Sequence, residues 1–406
     1  MAYEVLARKW RPQRFEDVVG QEHVTRTLRN AIESERVAHA YLFVGPRGIG
    51  KTSSARIFAK ALNCTDRRDG EPCNECESCT EITADRSLDV IEIDGASNNG
   101  VDDVRELRDN ARYAPNRGPF KIYVIDEVHM LSTGAFNALL KTLEEPPPHV
   151  KFFFATTEPR KVPNTILSRC QRFDLRRISV ADLGTQLRKI AAAEEIEITE
   201  EALLAIARGA EGGMRDAESA LDQLVSFRGK HINEEDVLAV FGLVSQGALY
   251  GLLQAVLDGD RGTILDRIAE FDRSGRDLPR LVGELLDGVR HLLVLNCAGE
   301  EQVGEALTDA QVEALKALAG KVDEERLLRM TDILVETDLR MKSSLSPRTL
   351  LETGLVRCSR AATVVSMDEL IRRLSELEGG DSGSPDPSPD PSPAPEAKKK
   401  RAPRMS

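Results

Sequence analysis

The sequence predicts an α/β domain on a parallel sheet, followed by a long all-helical region. Three observations predict it. Four short apolar runs recur within the first 178 residues, with helical stretches between them. A glycine-rich phosphate-loop pattern follows the first run. Beyond Ile178 the strand signal fades and apolar residues recur at helical spacing.

The four runs are Ala40–Val44, Leu88–Ile93, Lys121–Ile125 and Lys151–Ala155. Three are nearly continuous apolar stretches, as parallel strands covered on both faces require. Helices between them make a βαβ series and so a doubly wound sheet. Gly45, Pro46, Arg47, Gly48, Ile49, Gly50, Lys51 and Thr52 match G-x-x-x-x-G-K-[ST], between a strand and a helix expected over Thr52–Leu62. Such glycines turn backbone N–H groups toward phosphate oxygens, and the helix N-terminus adds positive potential. Lys51 is expected on the β/γ-phosphates of a nucleoside triphosphate, the Thr52 hydroxyl on Mg²⁺, and the nucleotide-binding stretch runs on to Ser53. Asp126 and Glu127 end the third run, suited to Mg²⁺ binding and to polarising an attacking water. For His129 a packing role is expected.

Three further polar residues are candidates on position alone. Thr157 follows the fourth run, where its hydroxyl could orient water or γ-phosphate, with Thr156 the near alternative. Arg169 stands in Ser168-Arg169-Cys170 at a helix end, and Arg215 opens a helix after Gly212-Gly213. Between the phosphate-loop helix and the next strand lie Cys64, Cys73, Cys76 and Cys79, spaced x8, x2 and x2. Four thiolates so close read as a closed metal site. Zinc is the expected occupant and iron–sulfur the runner-up, in a surface knuckle for stability or partner contact.

In the helical part, Ser179 opens an amphipathic run through Val180, Leu183, Leu187 and Ile190. Thr199 caps Glu200–Arg208, and Asn233 caps a helix toward Val240, giving a small domain over 179–241. A third region, 242–377, carries long apolar stripes (Leu252, Leu253, Val256, Ile264, Ile268, Leu327, Leu328, Ile333, Leu334) and reads as a packing or oligomerisation domain. Residues 378–406 form a Pro-rich tail that ends near Lys398-Lys399-Lys400-Arg401. A net charge of −12 excludes a histone-like or polybasic membrane-binding protein and confines any nucleic-acid contact to a local patch. With no apolar run near membrane-span length, no signal-peptide core and clustered cysteines, a cytoplasmic protein without membrane contact is expected.

Taken together, these residues resemble the ATPase subunits of the bacterial sliding-clamp loader, the tau/gamma family of DNA polymerase III. The likeness is dense over 3–241 and looser over 242–377. It is carried by Tyr3-x4-Arg8-Lys9-Trp10-Arg11-Pro12 with Val19-Gly20-Gln21, by the four cysteines, and by Ala96-Ser97-Asn98-Asn99-Gly100-Val101. Asp126-Glu127-Val128-His129-Met130-Leu131, Leu140-Lys141-Thr142-Leu143-Glu144-Glu145-Pro146-Pro147 and Thr165-Ile166-Leu167-Ser168-Arg169-Cys170 carry it further.

The resemblance implies a RecA-like AAA+ ATPase domain over 1–178 with a zinc module inserted at 64–79, a helical lid and a helical collar. It implies that Arg11, Pro12 and Val19 lie over the adenine. Thr157 becomes the first sensor, Arg169 an arginine finger on the neighbouring subunit's ATP, and Arg215 the second sensor. The expected partners are other loader subunits in a pentameric ring, including copies of itself, the sliding clamp, primer–template DNA, and single-stranded-DNA-binding protein. Asn98 and Asn99 are expected to face DNA, and Arg105 is a further candidate that also has Asp102 and Asp109 as helix neighbours. The tail suggests a short, gamma-like or truncated form without helicase- and polymerase-contacting domains. The competing readings are another AAA+ motor, such as a branch-migration helicase, and a non-hydrolysing scaffold subunit. No polymerase active site is visible.

Overall fold

The computed structural model describes residues 4–300, 302, 307 and 309–361. The expected Pro-rich tail, the end of the third region and Tyr3 of the N-terminal signature lie outside the described residues.

Five strands make one wholly parallel sheet: β1 (Ala40–Val44), β2 (Val90–Asp94), β3 (Lys121–Asp126), β4 (Val150–Thr156) and β5 (Gln171–Asp174), in the order β2-β3-β4-β1-β5. The central runs are found as expected because every residue of β1 and β4 is buried. Two differences concern the edges. The run expected from Leu88 begins at Val90, because Leu88 is exposed. Asp89 instead turns its carboxylate onto the backbone N–H groups of Asn116, Arg117 and Gly118, the last two at 2.8 and 2.9 Å. The edge strand β5, with one buried residue in four, carries too weak an apolar signal to be read from sequence.

Alternation along the strands sorts the side chains onto two faces. Tyr41, Phe43, Ile122, Val124 and Phe153 pack against α2 (Glu22–Glu33) and α3 (Lys51–Asn63). Leu42, Tyr123, Ile125, Phe152 and Phe154 pack against α5 (Val101–Asn110) and α6 (Thr133–Glu144). The few aromatics concentrate here. Phe58 of α3 stacks on Phe153 at 4.9 Å and meets Tyr41 edge-on at 4.9 Å, which fastens the phosphate-loop helix to the sheet.

A helical unit follows, made of α8 (Val180–Ala193), α9 (Glu200–Gly209), α10 (Met214–Arg228) and α11 (Glu234–Phe241). The expected caps are all present. Ser179, Thr199 and Asn233 accept from the N–H groups of Asp182, Ala202 and Asp236 at 3.1, 3.3 and 3.0 Å. The short N-terminal helix α1 (Leu6–Lys9) buries Leu6 in this unit, and Trp10 Nε1 donates to Glu194 Oε1 at 2.9 Å. The N-terminal segment thus ties the helical unit to the sheet domain.

The last described helices are α12 (Gln246–Asp258), α13 (Arg261–Arg273), α14 (Leu278–Ala298), α15 (Asp309–Ala319), α16 (Glu324–Met341) and α17 (Pro347–Arg360). They enclose a separate core through Leu252, Val256, Ile264, Ile268, Leu327 and Leu334. Leu328, expected in the buried stripe, is 48% exposed. It lies on the outer face of α16 with Val335 and Leu339, because the period of the helix carries these positions away from α14. Among the described residues no single helix is long and apolar enough to cross a membrane.

Candidate functional site

The loops after β1, β3 and β4 meet at the carboxyl edge of the sheet, where parallel α/β sheets present ligand sites. Gly48 of the phosphate loop sits at φ +77°. A Cβ there would lie 2.8 Å from Asp216 Oδ2 and 3.2 Å from the Gly213 Cα, so glycine lets the loop touch the start of α10. Lys51 is the first residue of α3, and its Nζ donates to the Pro46 carbonyl at 2.7 Å. Burial lowers the Lys51 pKa, while Glu127 and Asp126 act in the opposite direction. Thr52 Oγ1 donates to Asp126 Oδ2 at 2.7 Å, and Asp126 Oδ1 accepts the Glu127 N–H at 2.9 Å. A hydroxyl and a carboxylate so placed supply the hard oxygens that Mg²⁺ takes.

Glu127 adopts φ 44°, ψ 47°, a left-handed conformation uncommon for a non-glycine residue and typical of strained functional sites. Its carboxylate is gripped from β4: the Thr157 N–H and hydroxyl donate to Oε2 at 3.1 and 3.0 Å. Thr156, the alternative candidate, is fully buried, with its hydroxyl 3.0 Å from His129 Nδ1. The His129 side chain is largely covered, yet it does more than pack. Its Nδ1 lies 3.3 Å from Glu127 Oε2, and its Nε2 lies 3.4 Å from Glu158 Oε1.

Above these groups opens a cavity of about 960 Å³, bounded by the N-terminal segment, the phosphate loop, Asp126, Glu127 and α10. Arg47, Ile49, Gly50 and Ser53 line it, as do Arg11, Pro12 and Val19; Arg11 Nε donates to Ser53 Oγ at 3.3 Å. Gly45 stands one step behind the wall, its N–H bound to the Thr156 carbonyl at 3.2 Å. Arg215 reaches the cavity from α10, whose first turn is tied down by the Arg215 N–H on the Gly48 carbonyl at 3.2 Å. Sequence reasoning missed Glu218. It lines the same cavity one turn beyond Arg215, is 4% exposed, and burial pushes its carboxyl up to about 8. The i, i+3 spacing from Arg215 was the available signal.

Arg169 lies outside this cavity. Its guanidinium donates to the Thr165 carbonyl and to Glu144 Oε1, both at 2.7 Å. Asn98 Nδ2 donates to the Asp94 carbonyl at 3.1 Å, and the Asn99 carbonyl accepts the Ser132 N–H at 3.1 Å. Arg105 pairs with Asp102 at 2.9 Å on the exposed face of α5.

The four cysteines converge: their sulfurs all lie within 4.8 Å of one another. Cys76 Sγ is 3.9 Å from Cys64 Sγ, and Cys73 Sγ is 4.0 Å from Cys79 Sγ. A tetrahedral ion with bonds of about 2.3 Å sets such edges at roughly 3.8 Å, so the cluster suits one metal ion. Backbone N–H groups of Cys73 and Cys76 donate to Cys64 and Cys73 sulfurs at 3.3 and 3.2 Å. Burial resists ionisation of Cys76, yet hydrogen bonds from Thr65 and Cys79 outweigh it and bring this thiol down to about 6. The module is less detached than a surface knuckle. Cys64 and Cys79 are buried, and Thr83 and Asp85, at the end of α4 (Glu77–Thr83), line the cavity beside the phosphate loop.

Three family models match the chain in succession. "DNA polymerase III, delta subunit" matches residues 20–179, "DNA polymerase III clamp loader subunit, ATPase lid domain" matches 182–230, and "DNA polymerase III subunits gamma and tau domain III" matches 232–374. The tau subunit of Bacillus subtilis is 46% identical over 384 residues, 93% of this chain and 68% of that protein. The tau subunit of Escherichia coli is 48% identical over 73% of this chain, which spans only 46% of that protein. The gamma subunit of Buchnera aphidicola is 42% identical over 72% of this chain and 81% of its own length. With a phosphate loop and an Asp-Glu strand end on a parallel sheet, a helical lid over them, and this identity along nearly its whole length, the chain belongs to the tau/gamma family of DNA polymerase III subunits, AAA+ ATPases of the clamp loader.

Proposed function

We propose that the chain is the ATP-hydrolysing motor subunit of a replicative clamp loader, using ATP binding to hold a sliding clamp open on primer–template DNA and hydrolysis to release it. The observation that carries this reading is the Thr52–Asp126 contact of 2.7 Å beneath the phosphate loop, with Glu127 held beside it by Thr157. A scaffold subunit has no need of that arrangement.

In this reading the adenosine lies against Arg11, Pro12 and Val19, and the phosphates lie over the N–H groups of residues 45–53. Lys51 leaves the Pro46 carbonyl for the phosphate oxygens and offsets their charge. Thr52 and Asp126 hold Mg²⁺, which neutralises phosphate charge when bound. Glu127 takes a proton from the attacking water, and Thr157 fixes the orientation of its carboxylate. Arg215 brings the lid onto the γ-phosphate. Arg169, turned away from its own cavity, serves the ATP of a neighbouring subunit. The cysteine module holds structural zinc: one tight tetrahedron of sulfurs is too small for thiolates spread over a multi-iron cluster.

The wider assignments rest on family membership. They are an ATPase domain over 1–178, a lid over 179–241, a collar over 242–377 and a tail over 378–406. They also include a pentameric ring with like subunits, contact with single-stranded-DNA-binding protein, and a place in the bacterial cytoplasm. DNA contact falls on Asn98, Asn99 and Arg105, through phosphates and without sequence preference. The test is steady-state ATP hydrolysis in the assembled loader, with and without clamp and primed DNA. Stimulation that requires both and is lost in Lys51→Ala supports the reading. Hydrolysis indifferent to clamp but driven by branched DNA overturns it in favour of another motor.

A further inference from the structure

Gln13 occupies a junction between the cysteine module and the nucleotide cavity. Its Oε1 accepts from Lys60 Nζ at 2.8 Å and lies 3.4 Å from the Thr83 hydroxyl, and its Nε2 donates to the Arg11 carbonyl at 3.0 Å. Lys60 fixes this orientation. An ammonium donates only, so it holds the amide oxygen toward itself and leaves the amide nitrogen for Arg11.

Each arm leads to a functional element. Thr83 closes α4, the helix that carries Cys79, and its hydroxyl also reaches the Cys79 carbonyl at 2.9 Å. Lys60, on the phosphate-loop helix one turn before Cys64, is 1% exposed. A buried ammonium is costly unless an opposite charge faces it. Its hydrogen-bond acceptors, the side-chain and main-chain oxygens of Gln13, are neutral. Burial lowers the Lys60 pKa, and the charge acting against that comes first from Cys79, then from Cys73 and Cys64. Four thiolates around a divalent ion retain a net negative charge, which suits a lysine sealed beside them. On the other side, Arg11 contacts Ser53 in the first turn of α3 and stands in a cavity that also holds Arg56 and Arg215. Arg56 is anchored from the module end as well, 2.7 Å from Asp85 Oδ1, and by Glu92 at 3.0 Å.

We propose that the four-cysteine module is a working wall of the nucleotide site, and that Gln13 transmits its position to Arg11, so that metal in the module and nucleotide in the cavity bind cooperatively. Gln13 is a positioning residue: it lines the cavity, but its amide is engaged by Lys60 and the Arg11 carbonyl, and it acts through them. The proposal rests on the zinc and ATP readings above. A module without metal loses the tetrahedron that holds Cys79 and Cys64. Thr83 and Lys60 then lose their fixed places, and the Arg11 carbonyl loses its donor. Binding free energies are reciprocal, so the factor by which metal tightens nucleotide is the factor by which nucleotide tightens metal.

The experiment uses the full chain in zinc-replete and zinc-depleted forms, with folding checked by circular dichroism. Zinc content is read with a chromogenic chelator and ATPγS affinity by calorimetry. The expected result is one zinc per chain and a Kd for ATPγS about 5–20-fold weaker after depletion. ATPγS should slow zinc release in the same protein. In Gln13→Met the replete and depleted forms should differ by less than about twofold, both near the depleted wild type. Gln13→Glu keeps an acceptor for Lys60 but cannot donate to the Arg11 carbonyl, and it should uncouple the sites without orphaning the lysine. Equal affinities in replete and depleted wild type overturn the proposal and leave the zinc reading standing. A depletion effect of full size in both Gln13 variants also overturns it, since the coupling then takes another route. A chain that neither carries nor takes up zinc removes the metal reading, and this proposal with it.

Discussion

Thr157 holds one oxygen of Glu127 with two donors: its N–H at 3.1 Å and its hydroxyl at 3.0 Å both end on Oε2. In the proposed mechanism this contact links the end of β4 directly to the group that takes the proton from water. Movement of β4 relative to β3 therefore changes the aim of the carboxylate, and neighbouring subunits of the proposed ring can exert such movement.

Thr157→Val keeps the shape and the N–H but removes the hydroxyl. The expected outcome is a kcat about 10–100-fold lower with ATP affinity changed less than threefold, because one of two orienting bonds is lost and the phosphate contacts are not. Single-turnover hydrolysis in the assembled loader, beside ATPγS binding, separates the two quantities. A large loss of affinity instead would make Thr157 a nucleotide-binding residue.

Arg169 spends its guanidinium on Glu144 and on the Thr165 carbonyl, away from its own cavity. The Arg169→Ala subunit should bind ATP normally and fold normally, since the Glu144 pair is half-exposed and worth at most about 1 kcal/mol. Hydrolysis should fall about 10³–10⁵-fold, or roughly 4–7 kcal/mol of barrier. Mixing Arg169→Ala with Lys51→Ala subunits should restore part of it. Rings that stay inactive at every mixing ratio would count against action in trans.

Glu218 predicts a pH effect on stability. Burial raises its carboxyl from the ordinary 4.5 to about 8, so the folded chain holds a proton that the unfolded chain releases. Between these values the native state binds more protons, and stability falls as pH rises through this window. Glu218→Gln removes the titration. It should match wild type in melting temperature near pH 4.5 and exceed it by several degrees at pH 8–9, the penalty being of the order of a few kcal/mol. Parallel thermal melts that keep the same offset at every pH would show that Glu218 is ionised in the fold.

Arg326 makes the equivalent structural test in the last helical unit. It is 7% exposed, and its Nη2 donates to the Val256 and Leu257 carbonyls at the end of α12 at 3.2 and 2.8 Å. Arg326→Leu leaves the buried helix-end carbonyl of Leu257 without its donor, while the Val256 carbonyl keeps the Gly259 N–H at 3.3 Å. It should cost about 2–4 kcal/mol while ATPγS affinity is retained. Chemical denaturation followed by the helical signal measures the first, and calorimetry the second.

Much of this protein was readable from short stretches of chain. The phosphate loop, the strand ending in Asp126-Glu127, and the caps Ser179, Thr199 and Asn233 each depend on residues within a few positions of one another. Backbone hydrogen bonding and apolar periodicity are local, so spacing alone reveals them. The four cysteines were readable for the same reason: here all four donors of a tetrahedral site lie in the one stretch from Cys64 to Cys79.

What the tertiary structure decided are relationships between residues far apart in sequence. Glu127 and Thr157 stand 30 positions apart and meet because β3 and β4 are neighbours in the sheet. Gln13 joins Lys60 and Thr83, 47 and 70 positions away, because the N-terminal segment is drawn between the phosphate-loop helix and the cysteine module. Nothing in the local pattern of Glu218 announces a neutral carboxyl, and the period of α16 by itself leaves open whether the stripe of Leu327 and Leu334 or that of Leu328 and Val335 is the buried one. Protonation state and burial are set by how much water packing removes around a group, and packing is decided by elements arriving from elsewhere in the chain.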